Sequence, residues 1–171
     1  NNPLWSQTYT LADGETYVLV AQGIVSTAGY DPIIPFDIVV FPEGREQANL
    51  SSQTDVLVQH GSTDAPTVDI YETGIGAGML VDDLSYGEFA GYLELDTKDY
   101  ILEVRDETGA ITIASYKAPL QTLGLKGEAV TIVASGFLDP SINSDGPAFG
   151  LWVALAEGGD LVELEVYDPK A

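Results

Sequence analysis

Apolar and polar side chains alternate at period two over much of the chain. In "YILEVRD", Tyr100, Leu102 and Val104 fall on one face, Glu103 and Arg105 on the other. In "LVELEVY", Val162, Leu164 and Val166 alternate with Glu163 and Glu165. Such alternation predicts half-buried β-strands. Further strands are predicted at 56–60, 67–72, 91–96, 110–117, 129–138 and 149–157, and nearer the N-terminus around 5–11, 16–24 and 36–41. Turn-forming runs separate them: "DETGA" at 106–110, "LKGE" at 125–128 and "AEGGD" at 156–160. No stretch carries a convincing helical period. Short strands at this spacing predict an all-β fold, an antiparallel β-sandwich with Greek-key-like connections.

The pattern also repeats. "GETYVLVAQG" at 14–23 matches "GEAVTIVASG" at 127–136, and the match continues without a gap to Phe36/Phe149 and Val40/Val153. Across 14–41 and 127–154, seven of 28 positions are identical: Gly14/Gly127, Glu15/Glu128, Val20/Val133, Ala21/Ala134, Gly23/Gly136, Phe36/Phe149 and Val40/Val153. Self-similarity at a fixed offset marks tandem units. The expected organisation is a partial, late-strand unit at 1–48, a link at 49–53, a complete unit at 54–159, and an extra C-terminal strand and tail at 160–171.

The middle strand of the partial unit is apolar on both faces, and "FDIVVF" is similar, so both demand cover on each side. Forty-eight residues without a disulfide lie near the lower limit for independent folding. Three arrangements follow. The C-terminal strand of one chain, through Val162, Leu164 and Val166, completes the partial unit of the next at Tyr17, Leu19, Phe36 and Val39. Alternatively, the chain is an excerpt of a longer tandem protein. Or the half-unit packs on its own neighbour.

Charge narrows the partners. Lys+Arg number 6 against Asp+Glu 27, a formal net charge of −21. That excludes a basic footprint for nucleic acid. No apolar run reaches the roughly 20 residues a membrane helix needs. Cys is absent, so disulfides, thiolate metal sites and Cys nucleophiles are excluded. The first residue is Asn1 rather than Met, as expected of a processed or excerpted product.

The densest motif is "VLVQHGSTDAPTVDIYETG" at 56–74, followed by "LVDDLSYGEFAGYLEL" at 80–95. His60, Ser62, Asp64, Ala65, Pro66, Val68, Asp69 and Tyr71 in the first block, with Leu84, Tyr86, Gly87 and Tyr92 in the second, resemble the DUF4397 family. Gly61 stands where that family commonly has Ala, and Thr63 where it commonly has Pro. The resemblance covers about 54–159, and 1–48 only through the repeat. It implies an immunoglobulin-like β-sandwich, an extracellular or cell-surface setting and frequent tandem copies. It implies no enzymatic activity.

His60, Ser62 and Asp64 are triad residue types, but they sit two residues apart on extended backbone, about 7 Å per step. A triad needs groups converging from separate elements. A structural role is expected instead, with Ser62 and Asp64 bonding nearby backbone and Pro66 stiffening the turn. A single His cannot build a multi-His zinc site. "DPSINSDG" at 139–146 spaces Asp139, Ser141, Asn143 and Asp145 like a calcium loop, without the Gly or the bidentate Glu such loops use. It is a weak calcium candidate, and no other cofactor is indicated. Asn49 heads an "NLS" sequon in the link. Trp5 and Trp152 are candidate sugar-stacking aromatics, with core or interface the better reading of Trp152.

The reading that results is a non-enzymatic extracellular structural protein, a subunit of a head-to-tail filament or surface array built by strand exchange. Its partner is itself. The alternative is a monomeric adhesin or carbohydrate-binding module with glycan as partner.

Overall fold

Eleven strands occur among residues 3–170, the part of the chain that the computed structural model describes. β1 (Val18–Gln22) and β2 (Asp37–Phe41) form a two-stranded antiparallel sheet. β3 (Gln53–His60), β6 (Phe89–Asp96), β9 (Ala129–Ser135), β10 (Gly150–Leu155) and β11 (Val162–Glu163) form a five-stranded sheet in the order β11-β10-β9-β3-β6. β4 (Val68–Glu72), β5 (Gly78–Leu84), β7 (Asp99–Asp106) and β8 (Thr112–Pro119) form a four-stranded sheet in the order β5-β4-β7-β8. The larger two sheets pack face to face as an all-β sandwich. Among the described residues the one helical piece is a 3-10 turn at Pro140–Ile142.

Alternation explains the core. Val56 and Val58 of β3, Val130 and Ile132 of β9, and Leu151 and Val153 of β10 meet Ile70, Leu102, Val104 and Tyr116 from the opposite sheet. Each such aliphatic side chain stabilises the fold by about 1.5–3 kcal/mol. β3 is buried on both faces, because Asp55, Leu57 and Gln59 on its outer face lie under the N-terminal segment.

Four features depart from expectation. β3 and β9 pair in parallel, so the sandwich is not wholly antiparallel. β5 was not foreseen, because Asp82 and Asp83 break its alternation. Both lie opposite Asp69, with Val68 paired to Leu84 and Ile70 to Val81, a bulge that absorbs the extra residue. The strand predicted at 5–11 does not form. That segment lies along the hairpin instead, with Trp5 edge-on against Phe36 at 5.3 Å and the Tyr9 hydroxyl donating to Ile38 O at 2.7 Å.

The fourth departure is at the C-terminus. The segment expected to be a free donor strand is seated on its own sandwich. Val162 pairs with Val153, Leu164 N–H donates to Leu151 O at 2.9 Å, and Tyr167 N–H donates to Ser115 O at 2.8 Å. Leu164 is buried in the core. The strap thus crosses from β10 in one sheet to β8 in the other and closes the seam between them.

Candidate functional site: the open hairpin and its seat

The repeat in sequence is a repeat in geometry. Val18 pairs with Phe41 in β1–β2, and Thr131 pairs with Ala154 in β9–β10, each 113 residues further on. Ile24 N–H donates to Ile34 O (2.7 Å) and Phe36 N–H to Ile24 O (3.0 Å); Phe137 N–H donates to Pro147 O (2.9 Å) and Phe149 N–H to Phe137 O (2.8 Å). Gly23 and Gly136 have φ of 80° and 83°. A Cβ at either would run into a facing carbonyl, that of Pro35 or Ala148. Both hairpins therefore need Gly at this place.

The surroundings differ. In β9–β10 the inward residues Val130, Ile132, Ala134, Leu151 and Val153 are all buried. Their counterparts Tyr17, Leu19, Ala21, Ile38 and Val40 are half-buried or exposed. Ile132 is 3% exposed and Leu19 50%. β9 also has β3 along its second edge, whereas among the described residues no strand lies along the second edge of β1. On β2, the Tyr9 hydroxyl holds Ile38 O, the acceptor equivalent to the Leu151 O that Leu164 N–H holds on β10.

The other face of the hairpin is docked, so the half-unit packs on its own neighbour. Gln59 Nε2 donates to Gln22 Oε1 at 2.8 Å, and Phe41 packs on Phe89 and Tyr92 at 5.4 and 5.7 Å. Val39 sits on this docked face, across from Val20. Arg45 carries most of the polar seat. Its Nη1 meets Asp55 Oδ2 at 2.6 Å and Glu94 Oε1 at 2.9 Å, and its guanidinium lies 4.5 Å over the Tyr92 ring. Asp55 is fully buried, and Asn49 N–H adds a 2.9 Å bond to the same oxygen. Between hairpin and sandwich runs a groove of about 680 Å³, lined by Tyr17, Leu19, Tyr92, Trp152 and Leu161 among others.

The motif residues sit at one end of this seat. His60 Nε2 bonds Pro66 O at 2.9 Å, and Gly87 N–H donates to His60 O at 2.7 Å. Burial lowers the His60 pKa, against the pull of its backbone partners, and burial followed by the charge of Asp37 raises that of Tyr86, whose ring lies edge-on 6.2 Å from the imidazole. Ser62 Oγ donates to Gly136 O at 2.7 Å. Asp64 accepts from Leu138 N–H, Asp139 N–H (2.9 Å each) and Asn143 Nδ2 (3.0 Å). His60 and Ser62 thus turn to different partners and form no nucleophile–base pair. Asp69 accepts from Asp83 N–H, and Tyr71 lies under the Arg105 guanidinium at 4.1 Å.

The DUF4397 family model, a domain of unknown function, matches residues 54–144. The chain belongs to the DUF4397 family. No curated protein and no solved structure matches it. In this DUF4397 protein the motif is thus a set of braces: Asp64, in the turn between β3 and β4, holds the 137–146 loop against that turn. Asn143, fully buried, passes the tie on, because its Oδ1 accepts from Asp31 N–H at 3.0 Å in the hairpin loop.

That network engages residues of the loop named as a weak calcium candidate. Asp139 Oδ1 caps Ser141 N–H at 3.0 Å, and Asn143 is committed to Asp64 and Asp31. Among the described residues the one convergent acidic group is Asp69, Asp82 and Asp83. Asn49 is exposed, yet its Nδ2, where a glycan would attach, donates to Glu94 Oε1 at 2.6 Å. Phe36 is engaged by Trp5, and Val166 is an exposed bridge to Tyr116. Among the described residues no helix is long and apolar enough to cross a membrane. Arg45 and Asp55 escaped the sequence reading: an ion pair between segments leaves no period. The Asp82-Asp83 pair was visible only as a break in alternation.

Proposed function

We propose that this DUF4397 protein is a non-enzymatic structural module of an extracellular array, joined head-to-tail by exchange of the C-terminal strap. The strap at 162–166 leaves β10 of its own chain and pairs with β2 of the next, displacing Tyr9 from Ile38 O. The observation that carries this reading is the repeated hairpin, sealed at β9–β10 and open at β1–β2 in the same register. Exchange of an identical element between copies costs little, because similar main-chain bonds are remade. The partial unit at 1–48 and the complete one at 54–159 are then tandem family units.

The absence of Cys makes the test clean. In the register of β10–β11, Val162 faces Val153, and the equivalent of Val153 on β2 is Val40. Oxidation of a Val40→Cys/Val162→Cys chain is expected to give a ladder of covalent oligomers on a non-reducing gel. Val153→Cys/Val162→Cys should give an internal bond. A Val40→Cys/Val162→Cys protein that stays monomeric at high concentration, with wild type monomeric by sedimentation, would sink the proposal.

A second reading, a glycan-binding module, is favoured by the aromatic lining of the groove, to which Tyr17, Tyr92 and Trp152 all contribute. Quenching of Trp fluorescence by oligosaccharides, absent in Trp152→Phe, would support it over assembly.

A further inference from the structure

The free edge of β1 has a sealed counterpart in the same molecule. Among the described residues, the backbone bonds along Val18–Gln22 are those to β2. At the equivalent place β9 is paired on its second side by β3, which runs parallel to it. There Val56 lies opposite Val130, Val58 opposite Ile132 and His60 opposite Ala134. Carried over through the repeat, the same register sets a strand of this kind opposite Tyr17, Leu19 and Ala21.

The space for such a strand is present. The groove of about 680 Å³ is lined by the consecutive residues Tyr17 to Ala21, so it follows the edge of β1 and not one face alone. Its floor includes Thr131, Val133, Trp152 and Ala154, which alternate with the core residues of β9 and β10 and so belong to their outer face. The hairpin is seated on β3 and β6 through Gln22 and Phe41, which leaves that outer face as a ledge beside β1. Among the described residues no Asp or Glu lines the groove, in a chain that carries 27 of them. Its one charged wall residue is Arg45. An unpaired edge above an apolar ledge without acids suits a strand that is apolar on both faces. β3 is such a strand, with Val56 and Val58 on one face and Leu57 on the other.

We propose that the edge of β1 and this ledge form a strand-binding site, whose occupant is an extended segment of the β3 type running parallel to β1. It comes from the front of another family unit, since this chain's own β3 is held between β9 and β6. Main-chain bonds to β1 supply affinity, and alternate side chains supply specificity. One face of the added strand extends the apolar surface of Tyr17 and Leu19. The other lies on Val133 and Trp152. The inference rests on reading 1–48 as a partial unit, but not on exchange of the strap, which concerns β2.

The probe is a synthetic peptide of residues 53–60, acetylated, amidated and fluorescein-tagged. It is titrated with the full chain and read by fluorescence anisotropy. A scrambled peptide of the same composition and a Val58→Asp peptide are the controls, and changes in a peptide leave the fold of the protein untouched. We expect saturable binding of the unaltered peptide. Binding should be at least about tenfold weaker for the Val58→Asp peptide, and for the unaltered peptide on a Leu19→Asp chain. Direction is read by disulfide trapping in a glutathione buffer. A Leu19→Cys chain should trap a Val58→Cys peptide faster than a Thr54→Cys peptide, because parallel pairing sets position 58 opposite Leu19. Absence of saturable binding, equal affinity for the scrambled peptide, or faster trapping at position 54 would overturn the proposal. Strap exchange is read separately at Val40 on β2, so either inference can fail without the other.

Discussion

The β1–β2 and β9–β10 hairpins share residues, register and the obligatory Gly, yet one lies in a core and the other on a surface. In β9–β10 the inward face meets a second sheet and the outer edge of β10 carries the strap. In β1–β2 the corresponding face is covered only by a segment that forms no ladder, and the second edge of β1 has no strand along it among the described residues. Local sequence therefore sets the hairpin, and its neighbours set its burial. Leu19 is as apolar as its counterpart Ile132, yet half of it is exposed.

The sharpest way to break the comparison is to put the same charge at equivalent positions. Ile132→Asp should cost about 4 kcal/mol or more, because the carboxylate enters a closed core. Leu19→Asp should stay within about 1 kcal/mol. Urea denaturation followed by circular dichroism separates the two, and equal losses would mean the open hairpin is sealed in solution.

Arg45→Ala should follow, at about 3 kcal/mol, since it leaves the buried Asp55 carboxylate with Asn49 N–H as its remaining partner. Faster amide exchange in β1 and β2, with β9 and β10 unchanged, would mark undocking of the hairpin alone. Next come the paired glycines. Gly136→Ala should lower global stability by about 2 kcal/mol, from left-handed strain and the facing Ala148 carbonyl. Gly23→Ala should register as local exchange around residues 18–41 without a matching global loss.

The smallest effect is in pH. Burial holds the His60 pKa below its unfolded value of about 6.5. Protonation therefore favours the unfolded chain, so this contribution is full above pH ~6.5 and is lost as pH falls toward the folded pKa. His60→Gln, which can still donate to Pro66 O, should flatten that part of the stability profile, read from melting temperatures between about pH 7 and 5. A wild-type profile flat over the same span would refute the burial argument.

Much of this was legible because it is periodic. Alternation revealed β7 and the core faces of β3, β9 and β10, and the fixed offset revealed the second hairpin, down to Gly23 and Gly136. Non-periodic features were not legible. β5 hid behind Asp82-Asp83, whose bulge answers to Asp69 across the sheet rather than to its own strand. The seat of the hairpin depends on Arg45 meeting Asp55 and Glu94, partners that only the fold brings together. "DLVELEVY" did read as a strand, but alternation cannot say whose sheet it joins, and Leu164 settles it on its own core in this structure. His60, Ser62 and Asp64 stand close in sequence, but most of their partners, the carbonyls of Pro66 and Gly136 and the N–H groups of 138–139, come from the turns they brace, beside a 3.3 Å bond from Ser62 Oγ to Asp64 Oδ1.

Asn143 has a mechanical consequence. With one amide it ties the 137–146 loop of the sandwich to Asp31 in the loop of the hairpin, while Ser144 Oγ reaches Gly29 O at 2.7 Å beside it. Together with Arg45 at the opposite end of the seat, this gives the joint two separated points of attachment, and a joint held at two points cannot swivel. In a chain of such modules, the angle at each joint would repeat from link to link. The polymer would then be a stiff rod or a regular coil, and cutting the ties at Asn143 and Arg45 would turn it into a string of beads.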